Sequence, residues 1–442
     1  MTAEAIRAVS WRLNIHDDLR REQGTLFATP FEFVPNSRCL HLARLPTLNA
    51  NTTVTPVYAR EATQTYVTLL RGTIGPPVIC KAFSIRGPTG SSDCLLGEHE
   101  VEVRYLLLMT ALMRHGLTDA ATLPLGLAVT SREGLRQSGL LTATHTAKMF
   151  PERRKGSTGQ YAVVFAEAAD ASLTDHLWHS SQHNSVHTDY LCRVALLQVF
   201  LALATLQSIF PSFRHNDLHA SNVLVQRIDP VQVRSALGNR LPANYPLVVE
   251  YHLAGKTWQV DLDRAPFRCL LWDFSFASIE EQDAARAGLD CVTPREPRFG
   301  SLVVLSKTSP NQYCDLHRVV DTLRWLLQQG DGRGWEALSD RTRKQISELV
   351  PAELSYASKD VSDRDKRDRQ LLVHGSLQRT SPTQALLYDD LFSELRVDML
   401  PPERRIRPVY SLHPRLGTHD EAVAPRSLLE WPILHTGGTF SN

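Results

Sequence analysis

Residues 214–225 read RHNDLHASNVLV, with Asp217 two positions after His215 and five before Asn222. A second carboxylate, Asp273, follows three apolar or aromatic residues in LLWDFSFA, residues 270–277. A carboxylate can orient a hydroxyl and accept its proton. A carboxamide oxygen and a further carboxylate can hold a divalent cation, and Mg²⁺ takes few protein ligands when phosphates and water complete its shell. Those are the needs of phosphoryl transfer, which asks for positioned charges and little covalent chemistry. Asp217 suits the proton acceptor; Asn222 and Asp273 suit the metal. The bland alternative is a polar loop between a helix and a strand, and a buried strand that ends in an aspartate.

These residues need elements to hold them. Residues 65–85 give two strands, YVTLL and VICKAFSI, around a turn at 71–77 with two glycines and two prolines. A helical run follows at 98–115, with Val101, Tyr105, Leu108 and Leu112 at helical spacing. YAVVF, residues 161–165, is a short apolar strand, and Ser172 opens a helix with Asp175 three residues on. Residues 191–210 form a long apolar helix, and the loop with Asp217 and Asn222 feeds a strand at 223–225. Between this strand and Asp273 lies an insert, 226–269, with a hairpin VVEYHL–AGK–TWQVDL. Beyond 310 helical patterns dominate. KDVSDRDKRDRQ, 359–370, is a charged run, and after about residue 400 the chain turns Pro-rich. Strand-rich first and helix-rich second, the order predicts an α+β fold of two lobes with a cleft.

The spacing H-x-D-x-x-x-x-N resembles the protein-kinase catalytic loop, and the Asp273 segment resembles its D-F-G, with Ser275 in place of glycine. Val78-Ile79-Cys80-Lys81 resembles V-A-I-K. Lys81 and Ile79 share one face of a strand, which gives the lysine an apolar neighbour suited to an adenine ring. A helix glutamate must pair with such a lysine. Glu98, Glu100 and Glu102 all follow, and Glu102 fits best because the apolar run after it suits a packed helix. Without the other motifs, a lysine facing solvent would be the default. Residues 162–177, AVVFAEAADASLTDHL, resemble the kinase hinge, with Ala166 as gatekeeper and the backbone of 167–169, including Glu167 and Ala169, bonding adenine. NQYCDLHRVVDTL, 311–323, fits the helix whose first-turn aspartate, Asp315, braces the catalytic loop; the same residue reads equally as a helix cap. SPTQALLYDDLF, 381–392, resembles the last kinase helix.

The chain thus resembles the protein-kinase-like superfamily over about residues 45–395. In motif style it is closest to the Ser/Thr protein kinases of large nucleocytoplasmic DNA viruses. The DLHxxN form also occurs in haspin-like kinases and in small-molecule kinases of the aminoglycoside and choline type. The resemblance implies a bilobal fold: an N-terminal extension (1–44), a small β-rich lobe (45–166), a larger helical lobe (167–400, with the insert 226–269) and a tail (401–442). It implies ATP with Mg²⁺ or Mn²⁺ as cofactors and Ser/Thr hydroxyls of proteins as acceptors. Asp217 is then the base, Lys81 sits on the phosphates, and Asn222 and Asp273 hold metal. His219 stands where most Ser/Thr kinases carry a lysine. It suits phosphate contact when protonated, or a local backbone bond.

Several departures stand out. No G-x-G-x-x-G is present, and LNANTTVTPVYAR, 48–60, occupies its place with Asn49 and Asn51. Ser275 lacks glycine's conformational freedom. No A-P-E is present; Thr293, Ser301, Thr308 and Ser309 are candidate phosphosites in the segment 278–310. A small-molecule kinase and a pseudokinase binding module are the rival readings.

Composition narrows the class further. The chain has 442 residues, 48 Lys+Arg against 47 Asp+Glu, and is 43% hydrophobic. That is globular, and it excludes a strongly basic nucleic-acid coat protein or an acidic tail protein. No nucleic-acid partner is expected, and the oligomeric state is open. Seven cysteines without a CxxC argue against a disulfide framework or a four-cysteine zinc site. The first twenty residues lack a signal-peptide core, and the apolar stretch 194–210 is polar-marked, so no membrane span is expected. The expected location is intracellular: the host cytoplasm, or the virion, if the origin is viral. P-loop, G-x-S-x-G and H-E-x-x-H motifs are absent. The histidines of 176–187 and the basic knot Arg153–Lys155 read as loop residues.

Overall fold

The computed structural model describes residues 26–29, 31–34, 40–60, 65–73, 77–86, 98–114, 117–141, 157–181, 185–236, 247–280, 283, 314–329, 332–350, 381–388, 390–399 and 410–412. They mix sheet and helix, compatible with a kinase-like fold. The charged run 359–370, the four candidate phosphosites and the basic knot Arg153–Lys155 lie outside the described residues. Contacts divide the chain into two compact units: one takes the described residues up to Ala111 with Thr122–Ala168, the other Leu112–Ala121 with those from Ala169 onward.

The first unit holds strands β1 (Thr53–Arg60), β2 (Thr65–Arg71) and β3 (Val78–Arg86), helix α1 (Glu98–Arg114) up to Ala111, strand β4 (Pro124–Ser131), a short helix α2 (Arg132–Gln137) and strand β5 (Ser157–Glu167). The strands make one antiparallel sheet in the order β1-β2-β3-β5-β4. Period-two alternation sorts the side chains of β3. Val78, Cys80 and Ala82 join a core with Tyr66, Leu70, Val163 and Phe165. Phe83 turns the other way and packs with Val164, Leu127 and, from α1, Val103 and Leu107. Lys81 lies on that second face, paired in register with Val67 and Val164. Helix α1 is buried well beyond one stripe: from Val101 to Met113 every residue but Arg104 is buried.

The first face of the sheet has a cover that the sequence did not announce. Leu26, Phe27 and Leu42 are buried in its core, with Phe31, Phe33, Leu45 and Leu48 packed against it. Phe27 meets Phe165 edge-on, ring centroids 5.5 Å apart. This arm is tied by backbone bonds to itself and to β4: Ala28 N–H to Thr47 O at 2.8 Å, Leu42 N–H to Leu127 O at 2.7 Å and Leu127 N–H to Leu40 O at 3.0 Å. Asn49, at the place expected for a glycine-rich lid, donates its N–H to Leu26 O at 2.9 Å.

The second unit holds β6 (Ala171–Ser172), α3 (Leu173–Ser181), α4 (Ser185–Ile209), β7 (Val223–Arg227), α5 (Pro230–Ala236), β8 (Val248–Leu253), β9 (Lys256–Asp261), β10 (Phe267–Leu271), α6 (Cys314–Gln328), α7 (Arg333–Glu336), α8 (Asp340–Leu349), α9 (Pro382–Tyr388) and β11 (Tyr410–Leu412). Ser172 caps α3: its Oγ accepts the Asp175 N–H at 3.2 Å and donates to the Asp175 carboxylate at 2.7 Å. Within α4, His187–Ile209 is long and apolar enough to cross a membrane, and 83% of its most apolar window is buried inside the chain. The insert carries α5 and a hairpin, β8–β9, turning at Ala254 (φ 49°) and Gly255 (φ 74°). β11 adds to β8 in parallel. A separate three-stranded sheet runs β10-β7-β6.

His317 on α6 is 2% exposed, and burial holds its pKa down to about 4. In the unfolded chain it protonates near 6.5. A depressed folded-state value means that its contribution to stability is complete above pH 6.5 and is lost as pH falls toward 4. His317→Asn is therefore expected to flatten the dependence of unfolding free energy on pH, by up to about 1.4 kcal/mol per pH unit in that window. Urea titrations at several pH values measure it, and an unchanged slope would show that His317 is not held neutral.

Candidate active site

The first unit builds an ion pair. Strand β3 presents Lys81 toward α1, and Glu102 sits on the helix turn that carries Val103 into the same core. Lys81 Nζ lies 2.8 and 3.1 Å from the two carboxylate oxygens of Glu102. Their side chains are 7% and 0% exposed. The side chains of Glu98 and Glu100 lie outside what is described. Lys81 Nζ also stands 5.5 Å from the ring centre of Phe83. Ile79 is half-buried on the same face. At the end of β5, Glu167 is 2% exposed, and its carboxylate accepts the Leu123 N–H at 3.2 Å. Its own N–H goes to Leu123 O at 2.8 Å, and the Ala168 N–H to Pro77 O at 3.4 Å. In the second unit the Asp170 N–H goes to Val225 O at 2.9 Å. No hydrogen bond engages the N–H of Ala169 among the described residues.

The second unit gathers Asp217, His219, Asn222 and Asp273. Strand β7 begins just after Asn222, and β10 ends just before Trp272. The two pair antiparallel with Val223 opposite Leu271, so the ladder itself brings Asn222 beside the Trp272–Asp273 step. The Trp272 N–H closes it onto Asn222 O at 3.0 Å. Asn222 Nδ2 donates to the Asp217 carbonyl at 2.9 Å, which leaves its Oδ1 as the atom able to bind a cation. Asp273 takes a left-handed conformation, φ 63° and ψ 58°, which aspartate tolerates better than most residues. Ser275 Oγ donates to its Oδ1 at 2.7 Å.

The loop is braced from behind. His215 is fully buried, its Nε2 lies 3.0 Å from Trp272 O, and its ring packs on Phe274 at 4.9 Å. The N–H groups of His215 and Asn216 both donate to Asp315, at 2.7 and 3.0 Å. Asn216, also left-handed at φ 62°, donates its Nδ2 to Phe276 O and Ser278 Oγ. Arg214 and Ser278 exchange backbone bonds of 2.9 and 2.8 Å.

Two partners of this loop escaped the sequence reading: Arg318, which donates to Asp217 Oδ1 at 2.5 Å, and Thr322, which accepts the Ala220 N–H at 3.0 Å. Their signal was present. They stand three and seven residues after Asp315, on the same helix face.

His219 Nε2 lies 4.0 Å from Asp217 Oδ2. Burial, opposed by the Asp217 carboxylate, draws its pKa below the usual histidine value. The imidazole is therefore neutral near pH 7 and brings no positive charge to Asp217.

Asn222 Oδ1 and the Asp273 carboxylate are hard oxygens, of the kind that suits a Mg²⁺ completed by phosphate and water. No group of three or more His, Cys, Asp or Glu among the described residues could hold a metal ion by itself. A cavity of about 290 Å³ lies between α3 and α6, lined by Thr174, Trp178, Leu323 and Leu326 among others. None of the chemistry-bearing residues above lines it.

No family model matches the chain. Over 346 residues it is 24% identical to a protein of Acanthamoeba polyphaga mimivirus provisionally named a serine/threonine-protein kinase. The match takes in 74% of this chain and 66% of that protein, so the chain spans just under two thirds of the relative's length. This likeness supports a relationship to kinases.

Proposed function

We propose that the protein is an ATP-dependent kinase that transfers phosphate to Ser/Thr hydroxyls of proteins, of the viral type that its motifs resemble. The two compact units are read as the small β-rich and larger helical lobes of a protein-kinase-like fold, working inside the host cell. The observation that carries the proposal is the β7–β10 ladder, which sets Asn222 beside Asp273 while Asn222 grips the backbone of Asp217. A base and two metal-type ligands on one scaffold are what phosphoryl transfer requires.

On this reading Asp217 accepts the proton of the acceptor hydroxyl. Lys81, oriented by Glu102, contacts the nucleotide phosphates, Ile79 packs on adenine, and the N–H of Ala169 is the donor left for the base. Asn222 and Asp273 would hold a Mg²⁺ or Mn²⁺, which neutralises phosphate charge when bound. His219, drawn toward its neutral form by burial, stands 4.0 Å from Asp217 as a neighbour of the acceptor site.

Transfer of labelled γ-phosphate from ATP to casein, a basic protein and the protein itself tests the proposal. Asp217→Asn is expected to lower the rate by about 10²–10⁴-fold, with label recovered on serine and threonine. ATP binding without transfer to any protein would move the reading to a small-molecule acceptor. Neither binding nor transfer would leave a pseudokinase.

A further inference from the structure

We infer that Arg318 is a positioning residue for Asp217: it holds one carboxylate oxygen from α6 and leaves the other for the acceptor hydroxyl. The inference rests on the kinase reading of the site. Asp315, Arg318 and Thr322 follow one another by three and four residues, so they share one face of α6. All three meet the loop 215–220. Asp315 takes the N–H groups of His215 and Asn216. Thr322 takes that of Ala220 and donates its own hydroxyl to Arg318 O at 2.7 Å. Between these anchors the Arg318 guanidinium donates to Asn216 O at 2.9 Å and to Asp217 Oδ1 at 2.5 Å.

A planar fork that grips a backbone carbonyl and the next residue's carboxylate fixes that carboxylate in direction as well as in place. The pair is sheltered, with side-chain exposures of 18% and 24%. The second oxygen, Oδ2, has His219 at 4.0 Å, beyond hydrogen-bonding distance. Oδ1 is thus occupied by Arg318, and no hydrogen bond engages Oδ2 among the described residues. The loop carries a histidine, neutral near pH 7, where a cation would otherwise stand, and Arg318 supplies that cation from a different element. A base aimed by one bound oxygen gives the near-attack geometry that positioning rewards, where a misplacement of about 1 Å costs about 10²-fold.

The test compares wild type, Arg318→Met, Arg318→Lys and Arg318→Ala, each as the full chain. The expected result is a kcat about 10²-fold lower in Arg318→Met with KM for ATP unchanged. Arg318→Lys should recover little, because a point charge cannot grip both acceptors. Added guanidinium ion should restore much of the rate to Arg318→Ala, and ammonium should not. An unchanged kcat, or a loss that follows melting temperature and resists guanidinium, overturns the inference. A crystal structure of Arg318→Met, or of Arg318→Lys if the first does not fold, gives a readout without activity. Asp217 is expected to leave its rotamer there; if it keeps it, the inference falls whether or not wild type transfers phosphate. If wild type transfers none while Asp217 moves in the variant, the kinase reading falls and the positioning role stands.

Discussion

Lys81→Ala is expected to destabilise the protein by about 3–5 kcal/mol and, on the proposed kinase reading, to abolish phosphoryl transfer. The stability effect comes from what is left behind. Glu102 is 0% exposed, and without Lys81 its carboxylate is a buried charge stripped of its main partner, the costly case for an ion pair. The loss would be read as a lower urea midpoint for the sheet-bearing unit. Replacing both partners by apolar residues, Lys81→Met with Glu102→Leu, removes the stranded charge and should recover most of the stability. On the proposed kinase reading it should recover none of the activity, because the ammonium assigned to the phosphates is gone. The double variant thereby separates two roles that a single substitution confounds. If Lys81→Ala unfolds like wild type, the pair is not buried as described.

Removing residues 1–44, at the boundary the motifs suggest, should have an effect of similar or greater size. The cut takes away Leu26, Phe27 and Leu42, each no more than 5% exposed. At about 1.5–3 kcal/mol for each buried side chain, this is roughly 5–9 kcal/mol, comparable with the whole stability of a domain. It would also bare one face of a five-stranded sheet, a large apolar patch of the kind that aggregates. The truncated chain is expected to be insoluble, or to lose protease protection across β1–β5. Phe27→Ala alone should cost about 3–5 kcal/mol. A soluble truncation with an unchanged melting temperature would show that the arm is dispensable.

How far the sequence could be read depended on whether a residue's role was local. The strand alternation of VICKAFSI placed Lys81 on a face, and the apolar run after Glu102 singled out the partner it meets. Asp217, Asn222 and Asp273 carried a spacing, and Asp315 a helix start. The arm carried neither kind of signal. Its bridges, Phe27 to Leu48 and Phe33 to Leu42, are isolated contacts rather than a ladder, so no period marks them. Its aromatic residues acquire meaning through the core they cover. Helix α1 showed a stripe at Val101, Tyr105, Leu108 and Leu112, yet it is buried almost all round, because a helix enclosed by its surroundings needs no polar face. Arg318 shared a helix face with Asp315 but was passed over for another reason: charges on helices usually face solvent, and the acceptor that claims this one lies 101 residues away in the chain.

The β7–β10 ladder fixes Asn222 against Asp273 without help from the covalent path between them. That path leads through the exposed turn at Ala254–Gly255. A nick there yields two fragments, each chemically incomplete. The first carries Lys81, Asp217 and Asn222; the second carries Asp273, Asp315 and Arg318. Ten backbone positions paired edge to edge (five from each strand) would have to find each other again before Asn222 and Asp273 stood side by side. The same hairpin is accordingly a place to open new termini, or to divide the chain into a reporter that stays silent until its halves are brought together.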